Sequence, residues 1–155
     1  MSEQPYSEGS VFIVPLRKGG YARGVIARSD PKGVILFGYF FGPRLTSADA
    51  AVSNDLDPHN AILRVMFGAL GLRNGKWPIL GMAPKWDRSE WPIPDFARRD
   101  PLGRMKSRRV RYSDDDPSHR EAEYPVEDDS GLATDSLSGY GAVEIKLTKL
   151  LGEAQ

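Results

Sequence analysis

The stretch from residue 10 to residue 42 most constrains the fold, because it is typical of three strands joined by two tight turns. Strand-forming side chains run over residues 11–16, 21–28 and 34–41. The first turn contains Gly19 and Gly20, which tolerate positive φ. The second turn, residues 30–33, places Asp first, Pro second and Gly fourth, the pattern of a type I turn. The sequence therefore predicts an antiparallel meander at this end of the chain.

Length and residue types limit the class of protein. The chain has 155 residues, and we expect a single domain over residues 1–155 with an ordered core over about 7–151. The absence of cysteine excludes disulfides, thiolate nucleophiles and iron–sulfur clusters. The polar first residues predict no secretory signal, and the apolar runs are shorter than the roughly 20 residues that span a bilayer. We therefore expect a cytoplasmic protein with no membrane partner.

Charge is unevenly distributed although the formal net charge is zero. Residues 97–112 carry seven cations against one anion, a net +6, and residues 113–135 carry nine anions against one cation, a net −8. The favoured interpretation is that the two blocks form neighbouring, solvated segments that neutralise each other. The alternative is that one block is a docking patch, basic for nucleic acid or acidic for a basic partner.

The region after the meander allows two interpretations. Residues 47–52 predict a short helix capped by Ser47. Asp57 followed by proline is typical of a helix start, and apolar residues recur at helical spacing between Ile62 and Leu70. Asn74 followed by glycine instead predicts a hairpin turn, which requires strands on both sides of it.

Those two strands would be residues 61–67 and 77–81, and the residue pattern alone leaves helix and strand open for the first. Residues 84–101 predict an irregular connection, because they are rich in proline. Trp86 and Trp91 in this connection either pack against the sheet, the favoured interpretation, or form exposed contacts with a partner.

The rest of the chain predicts a later hairpin and a final helix. Residues 108–112 predict a strand, with residues 121–126 as its partner across an acidic loop over 113–119. Residues 139–151 fit a strand or a helix, and their length together with a cap at Ser138 favours a C-terminal helix. We therefore predict an α+β fold that is mostly antiparallel sheet, with one or two short helices, the last C-terminal.

Four segments together resemble the immunity protein 26 family of bacterial polymorphic toxin systems. They are residues 9–16, 21–25, 74–81 and 139–144. The resemblance covers about residues 7–151 and rests on glycines, a tryptophan and apolar strands. It implies a cytoplasmic protein that binds and silences a toxin, it favours a strand over residues 61–67, and it carries no catalytic residues. The basic block and the acidic loop are not part of this pattern.

A search for catalytic and metal-binding motifs supports a binding protein. His59 and His119 lie in no metal-ligand spacing, and the sequence has neither a nucleophile elbow nor a phosphate-binding loop. The three consecutive aspartates beginning at Asp114 lack the alternating spacing and the glycine turn of a calcium loop. We therefore expect no metal, no cofactor and no enzymatic activity, with an enzyme of unrecognised site as a less favoured possibility.

Two functional hypotheses follow. The first is an immunity protein that occludes the active site of a cognate toxin, with an acidic stretch that imitates nucleic-acid phosphates. Its toxin-binding residues would be Asp114, Asp115, Asp116, Glu121, Glu123, Tyr124, Trp86 and Trp91. The second is a small-barrel nucleic-acid-binding domain that uses the basic block over residues 98–111. Zero net charge makes nucleic acid the less favoured partner, and the oligomeric state stays open.

Overall fold

A computed structural model describes residues 6–48 and 56–152. Ten strands and two helices form in these ranges. In chain order they are β1 (Ser10–Pro15), β2 (Tyr21–Ser29), β3 (Ile35–Leu45), β4 (Leu63–Gly68), α1 (Leu70–Arg73), β5 (Ile79–Met82), β6 (Phe96–Arg98), β7 (Arg108–Ser113), β8 (Asp116–Pro125), β9 (Ala133–Thr134), β10 (Leu137–Ser138) and α2 (Tyr140–Gly152). The predicted α+β class, mostly antiparallel with a helix at the C-terminal end, is confirmed.

The predicted meander is confirmed and forms the centre of a six-stranded sheet with the order β10-β4-β3-β2-β1-β5. Val25 of β2 lies opposite Val11 of β1 and Tyr39 of β3, both in antiparallel register. Gly33 closes the second turn by donating to the carbonyl of Asp30 at 3.0 Å. All neighbouring strands in this sheet are antiparallel except β10, which runs parallel to β4.

Both faces of the large sheet are covered, which explains why β1 and β2 are apolar and buried along almost their whole length. One face packs Phe12, Phe40 and Trp77 against Val143 and Leu147 of α2. The opposite face forms a second core with the irregular chain and the small sheet. Its members include Val11, Val25, Phe37, Trp91 and Phe96.

The strand that the resemblance favours over residues 61–67 forms as β4 (Leu63–Gly68), but the predicted hairpin around Asn74 is wrong. Strand β4 pairs with β3, whereas β5 pairs with β1 and lies four positions from β4 in the same sheet. Helix α1 lies between them, and its C-cap is Asn74. Trp77, 1% exposed, then enters the first core, so the chain crosses beneath the sheet and does not turn back on itself.

A second sheet has the order β8-β7-β6-β9. Strand β6 lies in the segment predicted to be wholly irregular, where Phe96 pairs with Val110 and fills the second core. The later hairpin is confirmed, but the predicted acidic loop is wrong. Ser113 pairs directly with Asp116, so most of that segment belongs to β8, with register shifts near Tyr112.

Three smaller predictions have different outcomes. Asp57 caps a single 3-10 turn, Pro58–Asn60, by accepting from the backbone N–H of His59. The C-terminal helix is confirmed, but Ser138 lies in β10 and its hydroxyl accepts from Lys146 at 2.8 Å. Residues 49–52 of the helix predicted over 47–52 lie outside the described residues. Within the described ranges, no helix has the length and apolar character to span a membrane.

Candidate functional site

The basic and acidic blocks meet on the small sheet, where their charges pair. Glu123 of β8 accepts from Arg108 at 2.7 Å and from Arg120 at 2.6 Å, and Arg98 lies 3.6 Å away. Asp135 accepts from Arg98 at 2.9 Å and from the Tyr112 hydroxyl at 2.7 Å. The two charge blocks therefore neutralise each other across this part of the surface.

These contacts shift the ionisation of the groups involved. Hydrogen bonds from Arg108 hold the pKa of the Glu123 carboxyl below its ordinary value. Burial and the hydrogen bond to Asp135 raise the pKa of Tyr112 to about 12. Each shift extends the pH range over which the group keeps its neutral-pH charge state, which suits a structural network.

A second carboxylate organises the other arginines of β7. Asp95 accepts from Arg109 at 2.7 Å and from Arg111 at 3.1 Å, and its side chain is only 10% exposed. Hydrogen bonds from Arg111, then Arg109, lower the pKa of Asp95. The arginines of β7 are therefore engaged within the protein, which reduces the positive charge available to a nucleic acid.

The turn between β7 and β8, formed by Asp114 and Asp115, is fixed to the large sheet by a buried cation. Arg28 of β2 is 2% exposed and donates to the Asp114 carboxylate at 2.9 Å. The same guanidinium donates to the carbonyls of Ala27, Arg88 and Trp91. One buried side chain thus joins the large sheet, the irregular chain and the hairpin.

Carboxylates cluster around this turn in excess of cations. Arg88 donates to Glu8 at 2.9 Å and to Asp114 at 3.3 Å, and it lies 3.7 Å from Asp115. Asp115 is 92% exposed, and Asp116 accepts from the backbone of Ser118. We name the set Glu8, Asp114, Asp115 and Asp116 the acidic turn. Three of its carboxylates contact Arg28 or Arg88 and Asp116 adds a fourth, so the set and its two arginines sum to a net charge of −2.

The aromatic residues predicted as contact anchors differ in exposure. Trp91 is 4% exposed and packs edge-on against Tyr39 and Phe41, so its ring belongs to the second core. Trp86 is half-buried, stacks against Trp91 with ring centroids 5.5 Å apart, and lies directly over Gly9. Of the two predicted tryptophans, Trp86 alone has an accessible surface, and it lies beside the acidic turn.

The predicted set of toxin-binding residues divides into two regions. Tyr124 is 42% exposed and pairs with Arg109 near the other end of β8. Eight residues separate it from Asp116, roughly 25 Å at the rise of a strand. Glu123 also lies in this second region, inside the arginine network, and Glu121 is exposed beside the register shift of β8. The fold keeps Asp114, Asp115 and Asp116 together, places Trp86 over Gly9, the chain neighbour of Glu8, and separates the three aspartates from Tyr124.

Two functional elements were missed by sequence reasoning. Glu8 has no sequence signal, because its contact with Arg88 joins positions 80 residues apart. Arg28 does have a sequence signal, because it lies at the end of an apolar strand. A cation buried in a sheet that is covered on both faces requires a partner.

A cleft with a volume of about 500 Å³ lies between the sheets. Tyr39, His59, Arg64 and Asp95 contribute to its walls. The Arg64 guanidinium lies 5.1 Å from the Tyr39 ring centroid, and the Tyr39 hydroxyl donates to Pro92. Within residues 6–48 and 56–152, no group of three or more histidine or carboxylate side chains is arranged to hold a metal ion.

Fold and surface together define an α+β protein whose small outer sheet is covered by paired charges and ends in an acidic turn. A family model described as Immunity protein 26 matches residues 7–108, more than half of the chain. The chain belongs to the immunity protein 26 family, as the resemblance predicts. Membership implies an immunity protein of a toxin system, with a toxin as its partner. No curated protein and no solved structure matches the chain.

The matched residues end at the first residue of β7. The hairpin turn at Asp114 and the whole of β8 therefore lie beyond the match. Glu8, Trp86 and Arg28, which surround that turn, lie inside it. The candidate docking surface thus joins residues of the matched region to a hairpin outside it.

Proposed function

We propose that this protein binds a cognate toxin and neutralises it by covering the toxin's active site, with the acidic turn and Trp86 as a docking surface. It would act as a single domain in the cytoplasm and carry out no reaction itself. Family membership supports the toxin partner. The choice of docking surface rests on the contact between Arg28 and Asp114. This contact fixes the turn in which the next residue, Asp115, exposes its carboxylate.

The charge of this surface specifies the chemistry of the partner. A net charge of −2 around Asp115 attracts a cationic surface, such as the phosphate-binding groove of a nuclease. Such complementarity raises association rates to about 10⁸–10⁹ M⁻¹s⁻¹ at low salt. A cell that makes its own toxin benefits from rapid capture, so electrostatic steering fits the proposed role.

The rigidity of the turn supports the same role. Asp114 contacts both Arg28 and Arg88, and those arginines are themselves bound to Glu8 and to backbone carbonyls. A docking group that is already held in place loses little conformational freedom on binding. Trp86 adds an apolar surface next to the carboxylates, a combination common in interface centres.

The decisive experiment uses the toxin domain that we expect a neighbouring gene to encode. We expect co-expression to protect cells from that domain, and stopped-flow mixing to give a bimolecular association. Asp115→Lys should slow association about tenfold at low salt and much less at high salt. Lys149→Glu is the charge-reversal control, because Lys149 is exposed on α2, which packs on the face of the large sheet opposite the small sheet.

Each outcome decides a separate part of the proposal. If the toxin domain does not bind the wild-type protein, the proposed function is wrong. If it binds but Asp115→Lys slows association no more than Lys149→Glu does, the acidic turn is not the docking surface. Nucleic-acid binding, the less favoured hypothesis, predicts instead an RNA affinity that falls steeply with salt. The ion pairs made by Arg98, Arg108 and Arg109 weaken that hypothesis.

A further inference from the structure

The connection from β6 to β7 displays the two most exposed large apolar side chains of the described residues. Met105 is 74% exposed and Leu102 is 69% exposed. Every residue from 101 to 106 is exposed, so the two side chains project from one continuous surface loop. We name residues 101–106 the apolar loop. Single exposed apolar residues are ordinary, but two of this size on one short loop form a patch.

The apolar loop is held in one conformation by Asp100. Its carboxylate accepts from the backbone N–H groups of Leu102, Arg104 and Met105 at 2.9–3.1 Å. Its carbonyl accepts from Gly103, whose φ of +67° favours glycine. These hydrogen bonds also lower the pKa of the Asp100 carboxyl, so the anion that organises the loop persists in mildly acidic solution.

The base of the apolar loop is anchored as well. Arg99 donates to the Asp129 carboxylate at 2.8 Å and to the carbonyl of Leu132 at 2.8 Å. The Ser107 hydroxyl donates to Asp129 at 2.6 Å. A loop fixed at both ends and along its backbone presents its side chains with little entropy left to lose on binding.

The charges around the loop indicate which kind of partner covers it. Arg104 and Lys106 flank Met105, and Lys106 pairs with Glu127. Asp128 and Asp129 follow in the adjoining segment, so this end of the protein has no excess of positive charge. Nucleic acids and anionic membranes require several available cations. An apolar centre with a mixed charged rim is instead the composition of a protein–protein contact.

We infer that the apolar loop is a second contact region for the cognate toxin: Leu102 and Met105 enter an apolar pocket whose rim carries a carboxylate facing Arg104. This inference rests on the proposed function and adds the chemistry of the partner's surface. Met105 is suited to the role because its flexible thioether adapts to irregular pockets.

The positions of the two regions allow one partner to cover both. The acidic turn and the apolar loop lie at opposite ends of β7, a strand of six residues and therefore roughly 20 Å long. An interface of standard size covers about 800 Å² on each partner, a patch about 30 Å across. Exposed Tyr124 lies on β8 near the apolar loop. It pairs with Arg109, which is two residues after Ser107 and three after the end of the loop.

The test compares two double variants against the same toxin domain. Leu102→Gln/Met105→Gln removes the apolar side chains of the loop. Ile145→Gln/Leu150→Gln is the matched control, because these residues of α2 are also exposed, at 44% and 47%. Each variant is mixed with the toxin domain by stopped flow, and its dissociation rate is measured separately. Circular dichroism and thermal unfolding verify that both variants fold.

We expect the loop variant to raise the Kd at least tenfold through faster dissociation, with association changed less than twofold, because apolar anchors act mainly on dissociation. The control should leave both rates within twofold of the wild type. A loop variant that also stays within twofold overturns this inference and leaves the proposed function standing. A wild-type protein that does not bind the toxin domain overturns both.

A second measurement tests the competing partners. Labelled single-stranded RNA, duplex DNA and vesicles of phosphatidylglycerol are titrated with the wild-type protein at low and high salt. No binding supports the inference. Binding that weakens with salt and is lost in Arg104→Gln/Lys106→Gln assigns the loop to a polyanion and overturns the toxin contact.

Discussion

The guanidinium of Arg28 and the carboxylate of Asp114 lie 2.9 Å apart although only the arginine is buried, with side-chain exposures of 2% and 60%. The contact joins the middle of the large sheet to the turn of the small one. Its two members are not equivalent: the buried arginine also donates to three backbone carbonyls, whereas most of the aspartate side chain is exposed.

This asymmetry predicts unequal losses of stability. Arg28→Met leaves the carbonyls of Arg88 and Trp91 without their donor, and we expect it to lower the free energy of unfolding by about 3 kcal/mol. Asp114→Asn leaves those bonds in place and should cost less than about 1 kcal/mol. Urea denaturation measures both. Equal losses would show that the ion pair, and not the carbonyl contacts, accounts for the stability.

Glu144 is expected to stabilise the first core through Trp77. The indole N–H of Trp77, which is 1% exposed, donates to Glu144 at 2.9 Å, and Arg17 donates to the other carboxylate oxygen at 3.0 Å. Glu144→Ala leaves the buried N–H unsatisfied and should cost about 1–3 kcal/mol. Glu144→Gln keeps an acceptor and should cost less. Chemical denaturation of the two variants gives the comparison, and a larger loss for glutamine contradicts it.

Asp95 is expected to make stability depend on pH in the acid range. Its pKa is lower in the folded state because Arg111 and Arg109 donate to it. Its contribution is therefore complete above the unfolded carboxyl pKa of about 3.9 and is lost as the pH falls through the lower folded value. Asp95→Asn should be less stable than the wild type at neutral pH, and the difference should shrink in acid. A difference that stays constant with pH would refute this assignment.

Tyr112 should have the opposite dependence at alkaline pH. Burial and the hydrogen bond to Asp135 raise its pKa from the ordinary 10 to about 12. The folded state then keeps a proton that the unfolded state has lost, so stability falls as the pH rises from 10 to about 12. Tyr112→Phe removes this part of the decline. Ultraviolet titration of tyrosinate in both proteins provides the check, and a wild-type group that ionises at its ordinary pKa rules the contact out.

Replacing Gly24 of β2 by a larger residue is predicted to destabilise the protein. A Cβ at this position would lie 2.4 Å from the Phe12 ring and 3.0 Å from the Phe40 ring. Both rings are fully buried, so Gly24→Ala should cost about 1–3 kcal/mol or more through overpacking. Gly68→Ala is the matched control at the end of β4, where an added Cβ meets nothing within 4 Å. Similar melting temperatures for the two variants would contradict the prediction.

The meander was predictable because the residues that specify its strands and turns lie close together in the sequence. Three runs of strand-forming residues and two glycine-containing turns lie within 36 residues of one another. Each hairpin pairs two strands that are consecutive in the sequence. The final helix, α2, was predictable for a similar reason, since Val143, Leu147 and Leu151 form one stripe that packs on the first core.

The wrong predictions have two physical causes, which are pairing between distant segments and charged side chains on an edge strand. Strand β5 binds β1, nearly 70 residues earlier, because Trp77 carries the chain beneath the sheet. Consecutive charged residues after Ser113 predict a loop, because charge is typical of loops. Most of them instead belong to β8, an edge strand, and edge strands tolerate charged side chains. The docking surface likewise depends on Glu8 and Arg88, whose contact has no local pattern.

Strand β10 and helix α2 complete the six-stranded sheet and close its first core. A nascent chain consequently exposes Phe12, Phe40 and Phe67 until residues 137–151 have left the ribosome. We therefore expect a chain truncated before residue 137 to give no protection, however intact its acidic turn and apolar loop are.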